Sequence, residues 1–149
     1  RISGLGTLVD FFYFDSARYI GKFNGTKYMR YECDPGPRLL WSKAENRDFV
    51  EADLEAGRIY LLEPVPQMGA MKAGVTLQLI DMNDEKTRSR VAKILAKPEV
   101  KYTEQELADR AAKLKDVIQK GLEKYQSEKA SSKKILKLEK HMYYQPPGP

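Results

Sequence analysis

A chain of 149 residues, 42% hydrophobic and 32% charged, is long enough to bury a core without disulfide or metal staples. No apolar run approaches the roughly 18 residues of a membrane-spanning helix, and the single cysteine, Cys33, excludes an internal disulfide. The net charge of +5 is uneven: residues 1–83 hold ten Lys/Arg against eleven Asp/Glu, and residues 84–149 hold sixteen against ten. The basicity thus belongs to the C-terminal part, where a lysine-rich helix staying soluble is the simpler reading, and nucleic acid or an anionic membrane surface the alternatives. The sequence opens on Arg1 rather than Met, which predicts an upstream piece such as a signal peptide or lipid anchor.

In chain order, Arg1–Gly6 reads as a leader, and Thr7–Phe14 is dense in β-branched and aromatic residues, as a largely buried first strand requires. Asp15-Ser16 turns the chain. Asn24-Gly25 is a strong type I′ hairpin signal and predicts that Ala17–Phe23 pairs with Thr26–Cys33. Pro35 and Pro37 lack an N–H and stop that ladder. Arg38–Lys43 reads as the next strand, Glu45-Asn46 as a turn, and Phe49–Leu54 as a strand with Phe49, Glu51 and Asp53 on one side and Val50, Ala52 and Leu54 on the other. Glu55-Ala56-Gly57 turns again, and Arg58–Leu62 is expected to be the most apolar strand. Short strands at this spacing predict a sandwich or barrel rather than alternating βα units.

A strand, then Pro-Gly, a strand, a polar strand ending in Leu-x-Ala-Gly and a following tyrosine is similar to the PEGA-like β-sandwiches and related uncharacterised domains of bacterial envelope lipoproteins. The residues that carry the resemblance are Pro35, Gly36, Leu54, Ala56, Gly57 and Tyr60, and it spans roughly Thr7–Ile80. It implies a periplasmic or membrane-anchored setting and a family with no settled enzymatic activity, so it brings no catalytic residue with it.

Glu63–Gly74 reads as a loop with few charges, two prolines and two methionines, Met68 and Met71, which are the candidate binding residues as adaptable apolar anchors. The same loop can equally fold back over the sandwich. Val75–Ile80 gives the last strand. From Glu85 the chemistry is helical: Val91, Ile94 and Leu95 form a stripe, and Pro98 ends it. Thr103 and Glu106 make a capping box for a second helix, whose Leu107, Ala111, Leu114, Ile118, Leu122 and Tyr125 recur at steps of three and four. That face is expected to dock on the β-domain, with another copy of the helix as the alternative, and Gly121 permits close packing. Ile135, Leu136 and Leu138 suggest another helical turn or two, and His141–Pro149 a free end or a strap.

The chemistry-bearing residues do not assemble into a catalytic pattern. His141 is the one histidine, and nothing in the spacing brings Cys33 or a serine to it. Zinc would need more Cys and His than the chain has. Glu51, Asp53 and Glu55 read as a solvated strand face rather than a calcium or glycosidase site, and no phosphate-binding loop occurs. Tyr19, Tyr28 and Tyr31 among Arg18, Lys22, Lys27 and Arg30 superficially look like a stacking surface for nucleic acid, but that part of the chain is net negative.

The expectation is therefore mainly β with a helical C-terminal extension: an antiparallel β-sandwich of about seven strands over residues 7–81, two α-helices within 84–140, and a flexible tail at 141–149. The function expected is a non-catalytic cell-envelope interaction or structural domain, needing no cofactor or metal and binding no nucleic acid. Its partner would be a protein, or a second copy held through the helical extension, with the membrane close by if an anchor precedes Arg1. The alternative is a domain that binds a small ligand or carbohydrate in an apolar pocket at one end of the sandwich.

Overall fold

The structure is a computed structural model and describes residues 10–24, 27–68, 73–80, 82–131 and 133–144. Among them the strands are β1 (Phe11–Asp15), β2 (Arg18–Phe23), β3 (Tyr28–Met29), β4 (Gly36–Lys43), β5 (Arg47–Leu54), β6 (Leu62–Met68), β7 (Ala73–Leu79), β8 (Glu99–Val100) and β9 (Leu136–Leu138). The helices are α1 (Glu85–Leu95), α2 (Glu104–Lys113) and α3 (Lys115–Ala130). The protein is β-rich with its helices towards the C-terminus.

The centre is a five-stranded sheet in the order β2-β1-β4-β5-β9. Alternation along β1 sends Phe11 and Tyr13 to one face and Phe12 and Phe14 to the other. Both faces are covered, which is why this strand is apolar at nearly every position. The first face gathers Phe11, Tyr13, Val50 and Ala52 against Val75 and Leu77 of β7 and Leu138 of β9. The second gathers Phe14, Tyr19, Trp41 and Phe49 beneath Leu107, Ala111, Leu114, Val117, Ile118 and Tyr125 of the helices. One extra residue in β2, at Ile20, keeps both sets in phase: Tyr13 stands opposite Gly21 and Phe14 opposite Tyr19.

Several expectations are corrected. At the predicted Asn24-Gly25 hairpin Lys27 N donates to Asn24 O at 3.2 Å, but no ladder to β2 follows among the described residues: Tyr28-Met29 instead runs parallel to Glu99-Val100. Tyr102 Oη donates to Lys22 O at 2.6 Å, on the edge of β2 that the predicted partner would have used. Gly25 and Thr26 lie outside the described residues.

Arg58–Leu61 is not a strand. The positive φ of Gly57 (74°) throws the chain out of β5, and Ile59 is left 54% exposed. Tyr60 instead bridges segments, accepting from Glu55 N and donating to Lys140 O, both at 2.9 Å.

Much of the predicted proline-bearing loop is strand β6. It tolerates Pro64 and Pro66 because they stand opposite Leu77 and Val75 of β7. The N–H groups of those two residues point the other way: Val75 N donates to Asn46 Oδ1 at 2.6 Å and Leu77 N to Asp48 Oδ2 at 2.7 Å. No N–H from β6 is required at either place.

The sheet is mixed rather than antiparallel throughout. Leu136–Leu138, expected to be helical, lies parallel to β5, with Val50 opposite Leu136 and Ala52 opposite Leu138. Alternation explains the change of state: Leu138 enters one core while Ile135, three residues back, packs against the other. Beyond it, Tyr144 N donates to Ile59 O at 2.6 Å and the Arg58 guanidinium lies 4.1 Å from the Tyr143 ring centre, so residues 142–144 strap the turn after β5.

The capping box forms in full, with Thr103 N donating to Glu106 Oε1 at 3.0 Å and Glu106 N to Thr103 Oγ1 at 3.1 Å. The helix it opens is two helices rather than one. Leu114 leaves the α region (φ −108°, ψ 13°), and the bend lets Leu107 and Ala111 on one side and Val117, Ile118 and Tyr125 on the other reach the same aromatic cluster. Docking within the chain, the favoured partner for this stripe, is what occurs. Gly121 of α3 sits directly over Trp41, close enough that a Cβ there would lie 2.8 Å from Cζ2 and closer still to Cη2 and Cζ3.

Candidate functional site

Leu122 departs from its stripe-mates. Instead of meeting the sheet it lines an open groove of about 950 Å³ on the outer side of α2 and α3. The floor is small and apolar: Ala108, Ala111 and Ala112 from α2, Ile118 and Leu122 from α3, and Ala17 from the turn between β1 and β2. The rim carries Lys115, Gln119, Glu123 and Gln126. Ala111 and Ile118 also touch the aromatic core, so the groove is the outer surface of the packed helix layer. A signal for it was present in the sequence: Ala108 and Ala112 at i, i+4, beside the stripe that docks inward.

The two methionines singled out earlier are placed elsewhere. Met68 is the last residue of β6, opposite Ala73, and Met71 lies outside the described residues.

A second cleft, of about 460 Å³, opens between β7 and the chain entering β9, lined by Asp48, Thr76, Gln78, Glu128, Lys133 and Ile135 among others. Glu128 is only 7% exposed at its side chain, with Lys133 Nζ 3.2 Å and Lys124 Nζ 4.0 Å from its carboxylate. Burial pushes the Asp48 carboxyl above its ordinary range, and the Glu128 charge adds to that. The N–H groups of Leu77 and Phe49 and the Lys133 charge pull it back only in part.

A raised pKa means that folding favours protonated Asp48. That contribution is fully present below the ordinary value of 3.8 and is lost as pH rises through the raised one. Asp48→Asn keeps an oxygen for Leu77 N–H without the charge. At neutral pH the variant is expected to match or exceed the parent in urea unfolding, and below pH 3.8 the difference should vanish. A variant clearly less stable at neutral pH would contradict this.

The remaining polar clusters hold the fold together. Glu51, expected on a solvated face, accepts from Tyr125 Oη and Lys129 Nζ, which ties α3 to β5. The Lys129 and Tyr125 bonds hold its carboxyl below the usual range. Asp53 lies 3.9 Å from Lys140, and Glu55 3.2 Å from Arg58. Buried Asp15 accepts from Tyr31 Oη at 2.7 Å and pairs with Arg38 at 3.1 Å. Burial, the largest influence, raises the nearby Cys33 thiol above its ordinary value, away from the thiolate. Tyr13 and Ser42, opposite each other across β1 and β4, both carry buried hydroxyls on the same face of the sheet.

No group of three or more His, Cys, Asp or Glu among the described residues is arranged to hold a metal ion. No helix among them is long and apolar enough to cross a membrane. Compared with family models, with curated proteins and with solved structures, the chain matches none.

Proposed function

We propose that the protein is a non-catalytic interaction or structural domain of the cell envelope, engaging a protein partner through the groove on α2 and α3. The observation that carries the reading is the groove itself: apolar, open, floored by alanines and rimmed by polar side chains, on the side of the helices that the sheet leaves uncovered. Small residues on a helix surface allow another backbone to approach closely. The envelope setting, periplasmic or anchored at the membrane, is supported by the sequence resemblance to PEGA-like sandwiches. The face of the sheet covered by the β6–β7 hairpin is the sandwich-like part of the chain.

A second reading, small-ligand or carbohydrate binding, is favoured by one feature, the smaller cleft at the β7–β9 end. Its Asp48, Thr76, Gln78 and Lys133 offer the hydrogen-bonding groups a sugar would need. Its lining is more charged than the apolar end-pocket that the sequence suggested.

Photocrosslinking separates the two. A benzoylphenylalanine at Gln119 or Ala112 is expected to give adducts of one defined mass that disappear with Leu122→Asp, whereas the same probe at Glu55 gives none. Absence of adducts at both groove positions would contradict the interaction reading.

A further inference from the structure

We infer that the occupant of the groove is the same groove of a second copy, packed by a two-fold axis that passes beside Gln119 and sets α3 antiparallel to its counterpart. This rests on the interaction reading above and names its partner. The argument is one of charge and spacing along α3. Lys115 and Glu123 both stand on the rim, four residues to either side of Gln119, or about 6 Å along the axis in each direction. An antiparallel copy centred on Gln119 brings each Lys115 opposite the other copy's Glu123, so the pair forms twice. A parallel copy would set Lys115 against Lys115 and Glu123 against Glu123, which repel.

The same operation satisfies the other rim and floor residues. Leu122 falls at the level of Asp116, beside the aliphatic stems of Lys115 and Gln119, which cover part of its side chain. Gln119 meets Gln119, and a primary amide is both donor and acceptor, so the contact on the axis complements itself. Within one copy Gln119 makes a long 3.3 Å bond to Glu123, an arrangement readily exchanged. Lys120 and Asp116, which flank the groove, already pair with each other at 3.1 Å.

The test is light scattering on the full chain over a concentration series, with Lys115→Glu, Glu123→Lys and the double variant. Both positions are exposed in the single chain, so each variant is expected to fold as the parent does. The parent is expected to dimerise, each single variant to dimerise about tenfold more weakly or worse, and the double variant to recover most of the loss. As a second readout, Gln119→Cys in a Cys33→Ser background is expected to form a disulfide-linked dimer under mild oxidation, because the axis places the two residues side by side.

A parent that stays monomeric, single variants that dimerise as well as the parent, or a double variant that fails to recover would each overturn the inference. If the parent is monomeric yet the probe at Gln119 still gives adducts of a different protein, the inference falls and the interaction reading stands. If neither is seen, both fall.

Discussion

Gly121→Val is expected to destabilise the protein by about 3 kcal/mol, the upper end of what overpacking a well-filled core costs. The reason is geometric. Trp41 is 1% exposed, stacks on Phe14 with ring centres 4.0 Å apart, and donates from Nε1 to Ser16 O at 2.9 Å. Held on three sides, it cannot yield, and a Cβ on Gly121 would fall inside van der Waals contact of its ring. Gly121→Ala, which in a free helix would gain about 1 kcal/mol, is here expected to lose stability. Trp41→Ala alone should cost about 3–5 kcal/mol. Combined with Gly121→Ala, however, the loss should be smaller than the sum, because the ring that the new methyl would strike has gone. A double-mutant cycle by urea unfolding reads this directly, and strict additivity would contradict the contact.

Asn46→Ala is the other substitution expected to be severe despite its exposed position, at about 2–3 kcal/mol. Asn46 holds both polar groups of one buried residue, accepting from Val75 N at 2.6 Å and donating to Val75 O at 2.8 Å. With Asp48 it serves as the hydrogen-bonding edge that β7 would otherwise find in another strand. Alanine leaves the N–H and C=O of Val75, a residue with no exposed surface, without partners in a dry site. Asn46→Asp restores the acceptor but turns a carboxylate towards the Val75 carbonyl, so it should recover less than half of the loss. Thermal or urea unfolding of both variants checks the order.

What could be seen in the sequence was local. Alternation in Phe49–Leu54 assigned its two faces as the structure has them, Gly57 marked a turn that needs positive φ, and Thr103 with Glu106 announced a helix start. What escaped depended on distant partners. Leu136–Leu138 is a strand only because the edge of β5 stands open beside it. Pro64 and Pro66 are tolerated in a strand only because Asn46 and Asp48 occupy the N–H groups opposite. Asn24-Gly25 is a sound turn signal, and Lys27 N does donate to Asn24 O, but the strand expected to return along β2 pairs with distant Glu99-Val100 instead. Leu122 shares the helical period of the docking stripe yet faces outward, since the bend at Leu114 changes which residues the sheet can reach.

The candidate groove was hidden for the same reason. Alanines give a weak periodic signal, and their meaning depends on which side of the helix the sheet has covered. The methionine anchors drew attention because methionine in a loop is conspicuous, whereas three alanines of one helix and a fourth in a distant turn become a surface only when folded.

The central claim is that α2 and α3 belong to the same cooperative unit as the sheet, with their inner stripe consumed by packing against the aromatic cluster. Native-state hydrogen exchange tests this most directly. The account predicts that amides of α3 from Ile118 to Leu122 open with the same free energy as those of Val50 and Ala52 in β5, so that both report global unfolding. Exchange of the α3 amides at a clearly lower free energy, with β5 still protected, would mean that the helix lifts from Trp41 independently, and would contradict the account.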